Sequence, residues 1–367
     1  MTTAETLLAG PRGRRMLLAY ARDAERTVHS EFRSDLFDHA VFLASYHFES
    51  GREGARVLFG PGAEEARRTV LTTDDVAHRL SQVPLPEVTA VALHSALADA
   101  VDAARYWQDP NGEDILVDTE PVRRELRRVA EHIARSPHAQ WWTTPVATDQ
   151  WSVGWSEDGM DLVDSTTAGL LRDYRDRTAA EEVRAERDRP ADPSANWSGW
   201  RWSTPPTRCS SRRLFDGTPA GLWFVEDSMG WERAITRRVN IPAGARVYEV
   251  DGAQAWAELC RQFPVEVTAQ KRHDWYRTTG RSGRWVIPDW PRLSERYEGV
   301  HLTVAGYLAA AGTAIAVDAD TASVIAGWAP DDTYWLTDTV NLDSDDSRTW
   351  ACDTSGRHPS WVDETHR

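Results

Sequence analysis

Tryptophan is distributed along this chain in a way that few folds accommodate. Eighteen of the 367 residues are tryptophan, yet only Trp107 precedes residue 140; the rest run from Trp141 to Trp361. Each indole brings a large apolar ring and one N–H that needs a partner when buried. A stretch this rich in them needs a broad core or sheet faces to cover the rings. The same rings also suit an aromatic pocket for a flat ligand such as a nucleobase or nicotinamide, and the composition leaves both readings open.

The rest of the pattern divides the chain in the same place. Before residue 140 the apolar spacing is helical. Leu93, Ala96, Leu97, Ala100, Val101 and Ala104 share one face, and Asp109-Pro110-Asn111-Gly112 ends that run. Asp118-Thr119-Glu120-Pro121 is an N-cap with an acid and a proline in the first turn. It opens a helix whose apolar face is Val122, Leu126, Val129, Ala130 and Ile133, closed by Ser136-Pro137. A further helix is expected after Thr72-Thr73, where two acids complement the helix dipole, and another around Phe32 to Phe48. Residues 1–140 are therefore read as a helical domain.

Residues 141–196 read as a connection: strands at Trp141–Thr144 and Gln150–Trp155, then a highly charged helix or linker over 165–189. From Trp197 the pattern becomes short apolar strands: Gly221–Val225, Ala245–Val250, Val300–Val304, Ala314–Val317, Ser323–Ala326 and Thr333–Leu336. Two helices interrupt them, one after Asp251 with Trp256, Leu259, Cys260 and Phe263 on its face, one after Pro288-Asp289. Strands separated by a few turn residues favour an antiparallel or mixed sheet. The expected class is α+β, with a Trp-rich domain over 197–340 and a polar tail over 341–367.

The formal net charge of −15 argues against broad DNA binding, which needs a basic face. No segment has the roughly 20 apolar residues of a membrane span, and the opening Met1-Thr2-Thr3-Ala4-Glu5 lacks a signal-peptide pattern. Three scattered cysteines, Cys209, Cys260 and Cys352, suggest neither a disulfide framework nor a zinc site, and the cytoplasm is the expected compartment. The histidines are dispersed, so no metal is expected. P-loop, G-x-G-x-x-G, G-x-S-x-G and H-E-x-x-H signatures are all missing.

Two constellations carry chemistry. Arg261, Lys271, Arg272, Arg277, Arg281 and Arg284 fall in a short stretch with His273, Trp275, Tyr276 and Trp285, a local reversal of sign in an acidic chain. Guanidinium groups grip phosphates and aromatic rings stack on bases, and the Thr278–Gly283 run would let backbone amides approach a phosphate. An ordinary solvated charge run fits the same residues. The second constellation is Gly221–Val225 leading into Glu226, Asp227 and Ser228 and then Gly230-Trp231-Glu232, a strand end of the kind that often carries site residues. The same residues fit an Asp227 or Ser228 cap on a helix containing Trp231 and Glu232. We expect the Lys271–Trp285 stretch to border one cleft with Trp223, Glu226, His301 and Tyr307.

Several segments resemble an actinobacterial family to which no activity is attached: Ala104–Gln108, Gln140–Trp142, Trp202–Pro206, Gly221–Trp223, Ala243–Asp251, Tyr297–Thr303 and Gly327–Leu336. The C-terminal domain also loosely resembles ADP-ribosyltransferase-like proteins, through its Gly-Leu-Trp segment, its Tyr-Glu-Gly-Val strand and its Gly-Trp-x-x-Asp segment. That resemblance implies a split mixed sheet gripping NAD, and cleavage of the nicotinamide–ribose bond through an oxocarbenium-like state. The acid would be Glu226, Glu298 or Asp331. Trp223 would cover the nicotinamide, with Arg201 or Ser203 on the first strand; Arg277, Arg281, His301 and Tyr307 are added as cofactor-binding residues on chemical complementarity alone. No Glu-x-Glu signature accompanies them. A nucleotide-binding module without chemistry, or an enzyme of another class, fits the same residues, and the macromolecular acceptor stays unnamed.

Overall fold

The computed structural model describes residues 2–28, 36–51, 57–155, 166–356 and 358–365. Within them the N-terminal stretch is helical: α1 (Ala4–Ala9), α2 (Pro11–Val28), α3 (Phe37–Glu49), α4 (Ala63–Arg68), α5 (Thr73–Gln82), α6 (Ala90–Asp102), α7 (Gly112–Asp118) and α8 (Glu120–Ala134). Residues 32–35 of the expected helix around Phe32, and residue 165 of the charged segment, lie outside the described residues.

Local chemistry sets these boundaries. Thr72 and Asp75 form a reciprocal capping box at the start of α5. Thr89 and Asn111 cap α6 and α7 through their side chains. The expected apolar face of α8, from Val122 to Ile133, is buried throughout.

All the strands among the described residues lie after residue 145, interleaved with five α-helices. In chain order come β1 (Gln150–Gly154), α9 (Thr167–Asp188), β2 (Cys209–Arg212), β3 (Arg233–Asn240), β4 (Val247–Val250), α10 (Ala253–Gln262), β5 (Pro264–Glu266) and α11 (Thr268–Thr279). They are followed by β6 (Arg284–Pro288), α12 (Trp290–Ser294), β7 (Gly299–Leu302), α13 (Val304–Ala310), β8 (Ile315–Ala316), β9 (Thr321–Ser323), β10 (Thr333–Trp335), β11 (Asn341–Asp353) and β12 (Ser360–Asp363). The class is α+β, with helices concentrated in the N-terminal part and strands in the C-terminal part.

The larger sheet runs β12-β11-β3-β1-β2-β10-β7-β4 and is antiparallel except where β7 meets β4. A smaller sheet, β5-β6-β9-β8, contains one parallel pair, β6 with β9. The register of the larger sheet sets His301 on β7 beside Glu249 on one neighbour and Thr333 on the other.

One continuous apolar cluster joins the helical part to the sheets, including Leu17, Val129 and Ile133 together with Trp256, Trp290 and Trp328. Trp328 meets Trp256 nearly edge-on, with ring centroids 5.8 Å apart. The seam between the two parts is close-packed. Gly312 has φ +73°, and a Cβ there would lie 2.3 Å from the Tyr106 ring. A Cβ on Gly10 would lie 2.4 Å from the Leu308 carbonyl oxygen.

Four local expectations are corrected. Trp141–Thr144 is not a strand; Pro137–Thr143 is a 3-10 helix, opened by Ser136 accepting the His138 N–H and by proline in the first turn. Gly221–Val225 is not a strand either. Pro219 leads into a short 3-10 turn, Ala220–Leu222, and Trp223 closes it in a helical conformation. Gly252 rather than Asp251 precedes α10. The supposed tail from 341 holds β11 and β12: Trp350 buries against Leu222 and Ala234, and its indole N–H donates to Thr236 Oγ1 at 2.9 Å. A strand with one buried indole among polar residues has no apolar run to reveal it.

Candidate functional site

The helical part and the C-terminal part together enclose a cavity of about 860 Å³. Arg15, Arg22 and Arg26 project into it from α2, spaced so that one helix face presents all three. The loop after α6 adds Arg105 and Trp107, and α11 adds Arg277. Five guanidinium groups therefore share one wall with carboxylates such as Asp99, Asp102 and Glu113.

Ion pairs fix most of these arginines in place. Arg15 pairs with Glu113, and Arg22 bridges Asp38 and Glu113. Arg277 donates to Asp274 Oδ1 at 2.8 Å and to the Trp197 carbonyl. Asp227 ties the two parts of the chain together at the rim: it accepts from Arg105 at 3.2 Å, from the Trp107 indole N–H at 2.9 Å and from Arg201 at 2.9 Å. Its backbone is left-handed, φ 52°, a conformation that costs a non-glycine residue energy and that three charged or polar partners hold in place. Arg201 also lies over the Trp107 ring, 5.7 Å from its centroid.

A second cavity of about 540 Å³ adjoins the first, sharing Ala19, Arg26, Asp99 and Asp102 as walls. Its other side is aromatic: Trp155, Trp223, Trp231 and Trp361. Thr218 accepts the Trp223 indole N–H at 2.8 Å, and the Trp223 ring lies 4.4 Å from that of His94. Burial pushes the His94 imidazole down to about 4, so it is neutral there.

No family model matches the chain, and no curated protein or solved structure matches it either. Its chemistry has to be read from its own side chains.

Of the residues singled out in the sequence, Arg277 lines the larger cavity, Trp223 lines the aromatic one, and Arg201 braces the rim between them through Asp227. Glu226 is elsewhere, at the seam. Its Oε1 accepts from the Tyr307 hydroxyl at 3.1 Å and its Oε2 from the Gly327 N–H at 2.6 Å. Burial outweighs both bonds and raises its carboxyl to about 8, which keeps it protonated at neutral pH.

His301 and Asp331 form a third group, inside the sheet. His301 is fully buried; its Nδ1 meets Glu249 and its Nε2 lies 3.3 Å from Asp331 Oδ1. Burial opposes its charge, but hydrogen bonds and attraction from Asp331 and Glu249 prevail and raise it to about 9. Asp331, with φ 70°, also accepts from Arg212 Nε at 2.6 Å and from the Arg212 N–H at 2.8 Å. Neighbouring Asp332 is raised to about 7 by burial.

The remaining residues serve packing and structure. Glu298 pairs with Arg246, which holds its carboxyl below the usual range. Ser203 is buried and bonded through its hydroxyl to both the N–H and the carbonyl of Ala326.

The basic stretch is a helix and a turn rather than an open phosphate loop. Gly280, in the left-handed region, closes α11. Lys271 is buried and donates to the carbonyls of Trp200 and Trp202, and burial lowers its ammonium to about 7. Arg281 stacks on Trp285 and donates to the Asp320 carbonyl. Arg277 is thus the member of the stretch that reaches the larger cavity, while Glu226, Tyr307 and His301 line neither cavity.

Sequence reasoning passed over Arg15, Arg22 and Arg26. Their helical spacing was the available signal, as was Trp107, the lone indole of the N-terminal part. Among the described residues no group of three or more His, Cys, Asp or Glu side chains is arranged to hold a metal ion. No helix among them is long and apolar enough to cross a membrane.

Proposed function

We propose that the chain binds NAD or a related nucleotide in the larger cavity, as a binding protein whose ligand is held rather than cleaved. One observation carries this reading: five arginines from α2, the loop after α6, and α11 face a single cavity together with Trp107. Guanidinium groups suit a diphosphate, and the indole at the rim offers a flat surface for a ring. A cavity of about 860 Å³ lies in the size range of small-molecule sites.

Two features favour holding over cleavage. Breaking a nicotinamide–ribose bond calls for an ionised carboxylate near the developing cation. Glu298 and Asp331 are instead committed to arginines, and Glu226 is protonated at the seam. The arginines are also spread over three elements that meet where the two parts of the chain join, so a bound nucleotide would stabilise that junction.

Incubating the full chain with NAD tests both readings together. Equilibrium dialysis should show retention, and chromatography of the mixture should return NAD intact. Catalytic release of nicotinamide would replace the binding reading with the ADP-ribosyltransferase-like one. Absence of both retention and nicotinamide release would remove both.

A further inference from the structure

The smaller cavity differs from the larger one in chemistry. Trp155 and Trp231 stack with ring centroids 5.1 Å apart and planes 18° from parallel. Trp361 lies 5.8 Å from Trp155 and is tilted by 52°, so the three indoles form a corner rather than a flat stack. Trp155 follows β1, Trp231 precedes β3 and Trp361 sits on β12, so the curvature of one sheet end gathers them. Trp231 remains 42% exposed, more than filling a core would leave.

The polar wall opposite carries an excess of carboxylate. Asp23, Asp99, Asp102 and Glu232 line the cavity. Its two basic groups are already engaged: Arg26 with Asp38 at 2.9 Å, and His358 with Asp23 at 3.5 Å. Asp102 accepts the Ser228 N–H at 3.0 Å. The Asp99 carboxylate makes no hydrogen bond or close ion pair among the described residues; burial raises its pKa, and Arg22, Arg26 and His358 oppose that only by longer-range attraction.

We propose that this aromatic corner is a binding site for an organic cation, a quaternary ammonium or a protonated amine. Indole faces attract a cation through their quadrupoles, and desolvation in a cavity strengthens that attraction. The Asp99 carboxylate supplies the counter-charge. Asp23 and Glu232, which line this cavity and not the larger one, would repel a phosphate or carboxylate ligand here. The site is separate in ligand from the nucleotide site and does not rest on it.

The test is calorimetric and fluorescence titration of the full chain with choline and with 3,3-dimethylbutan-1-ol, which has the same shape without the charge. Choline should quench tryptophan emission saturably and bind about tenfold or more tightly than the neutral alcohol. Trp231→Ala should abolish the difference, and Asp99→Asn should weaken choline by about tenfold, with Tm unchanged in the conservative variant. Nucleotide binding by Trp231→Ala should stay as in the parent, which separates this site from the other. Equal affinity for the two probes overturns the proposal, and so does an absence of saturable choline binding or indifference of choline to both substitutions.

Discussion

The Tyr307 hydroxyl donates to Glu226 Oε1 across 3.1 Å, joining α13 to the segment after the Ala220–Leu222 turn. Tyr106, from the helical part, lies within electrostatic reach of the same carboxyl, as does Arg12. An acid at this seam is protonated when the chain is folded and ionised when it is unfolded at neutral pH.

The linkage gives a signed prediction. The folded pKa of Glu226, about 8, is above the ordinary value of 4.5, so the folded state holds the extra proton between those limits. Stability referable to this group therefore falls as pH rises through that window and levels off above it. Glu226→Gln cannot ionise. The difference in stability between variant and parent, followed by urea denaturation from pH 5 to pH 9, should move in the variant's favour as pH rises. A difference that does not change with pH would place the carboxyl in contact with water.

His301 predicts a fall of the same sign over a higher window. Its folded pKa is raised to about 9, so its contribution is complete below the ordinary value of 6.5 and lost as pH rises through 9. His301→Gln leaves Asp331, 1% exposed, without one of its cationic partners. Breaking a buried pair in this way costs about 3–5 kcal/mol. The loss should be larger at pH 6 than at pH 10, and an imidazole titration by NMR should show the parent His301 still protonated at pH 8.

Much of the helical part was legible because its signals are local. Thr72 and Asp75 cap α5 within four residues, and the α8 face repeats within its own length. β7 and β10 were equally plain, as apolar runs bounded by turns. The candidate site was not local. Arg22 and Arg277 reach one cavity from α2 and α11, and Glu249 neighbours His301 through a parallel register that no spacing encodes. The charge reversal around Lys271 was real as a pattern. Its members went instead to carbonyl groups and indole faces, where a buried helix needs them.

The Trp-rich sheet yields a contrast between two indoles. Trp335 is 1% exposed, with its N–H on Ser210 Oγ at 2.8 Å, whereas Trp231 stands at a cavity mouth. Trp335→Ala should lower stability by about 3–5 kcal/mol. Trp231→Ala should stay within about 1 kcal/mol of the parent. Chemical denaturation of the two variants side by side checks both, and equal losses would refute the assignment of Trp231 to a ligand surface.

Gly312 tests the seam. Its left-handed backbone and its approach to Tyr106 leave no place for a methyl group. Gly312→Ala should cost more than about 1 kcal/mol. Pairing it with Tyr106→Ala, which vacates the space, should recover part of that loss; strictly additive losses would show that the backbone conformation alone is responsible.

The central claim is that the arginine-lined cavity holds a nucleotide diphosphate. Isothermal titration of the full chain with ADP, in low salt and in raised salt, tests it most directly. Arg26 is half exposed and paired with Asp38 at the cavity wall, so Arg26→Gln preserves the fold. Saturable binding should appear, weaken as salt is raised, and fall by about tenfold in the variant. An absence of saturable heat, or an affinity untouched by both salt and Arg26→Gln, would contradict it.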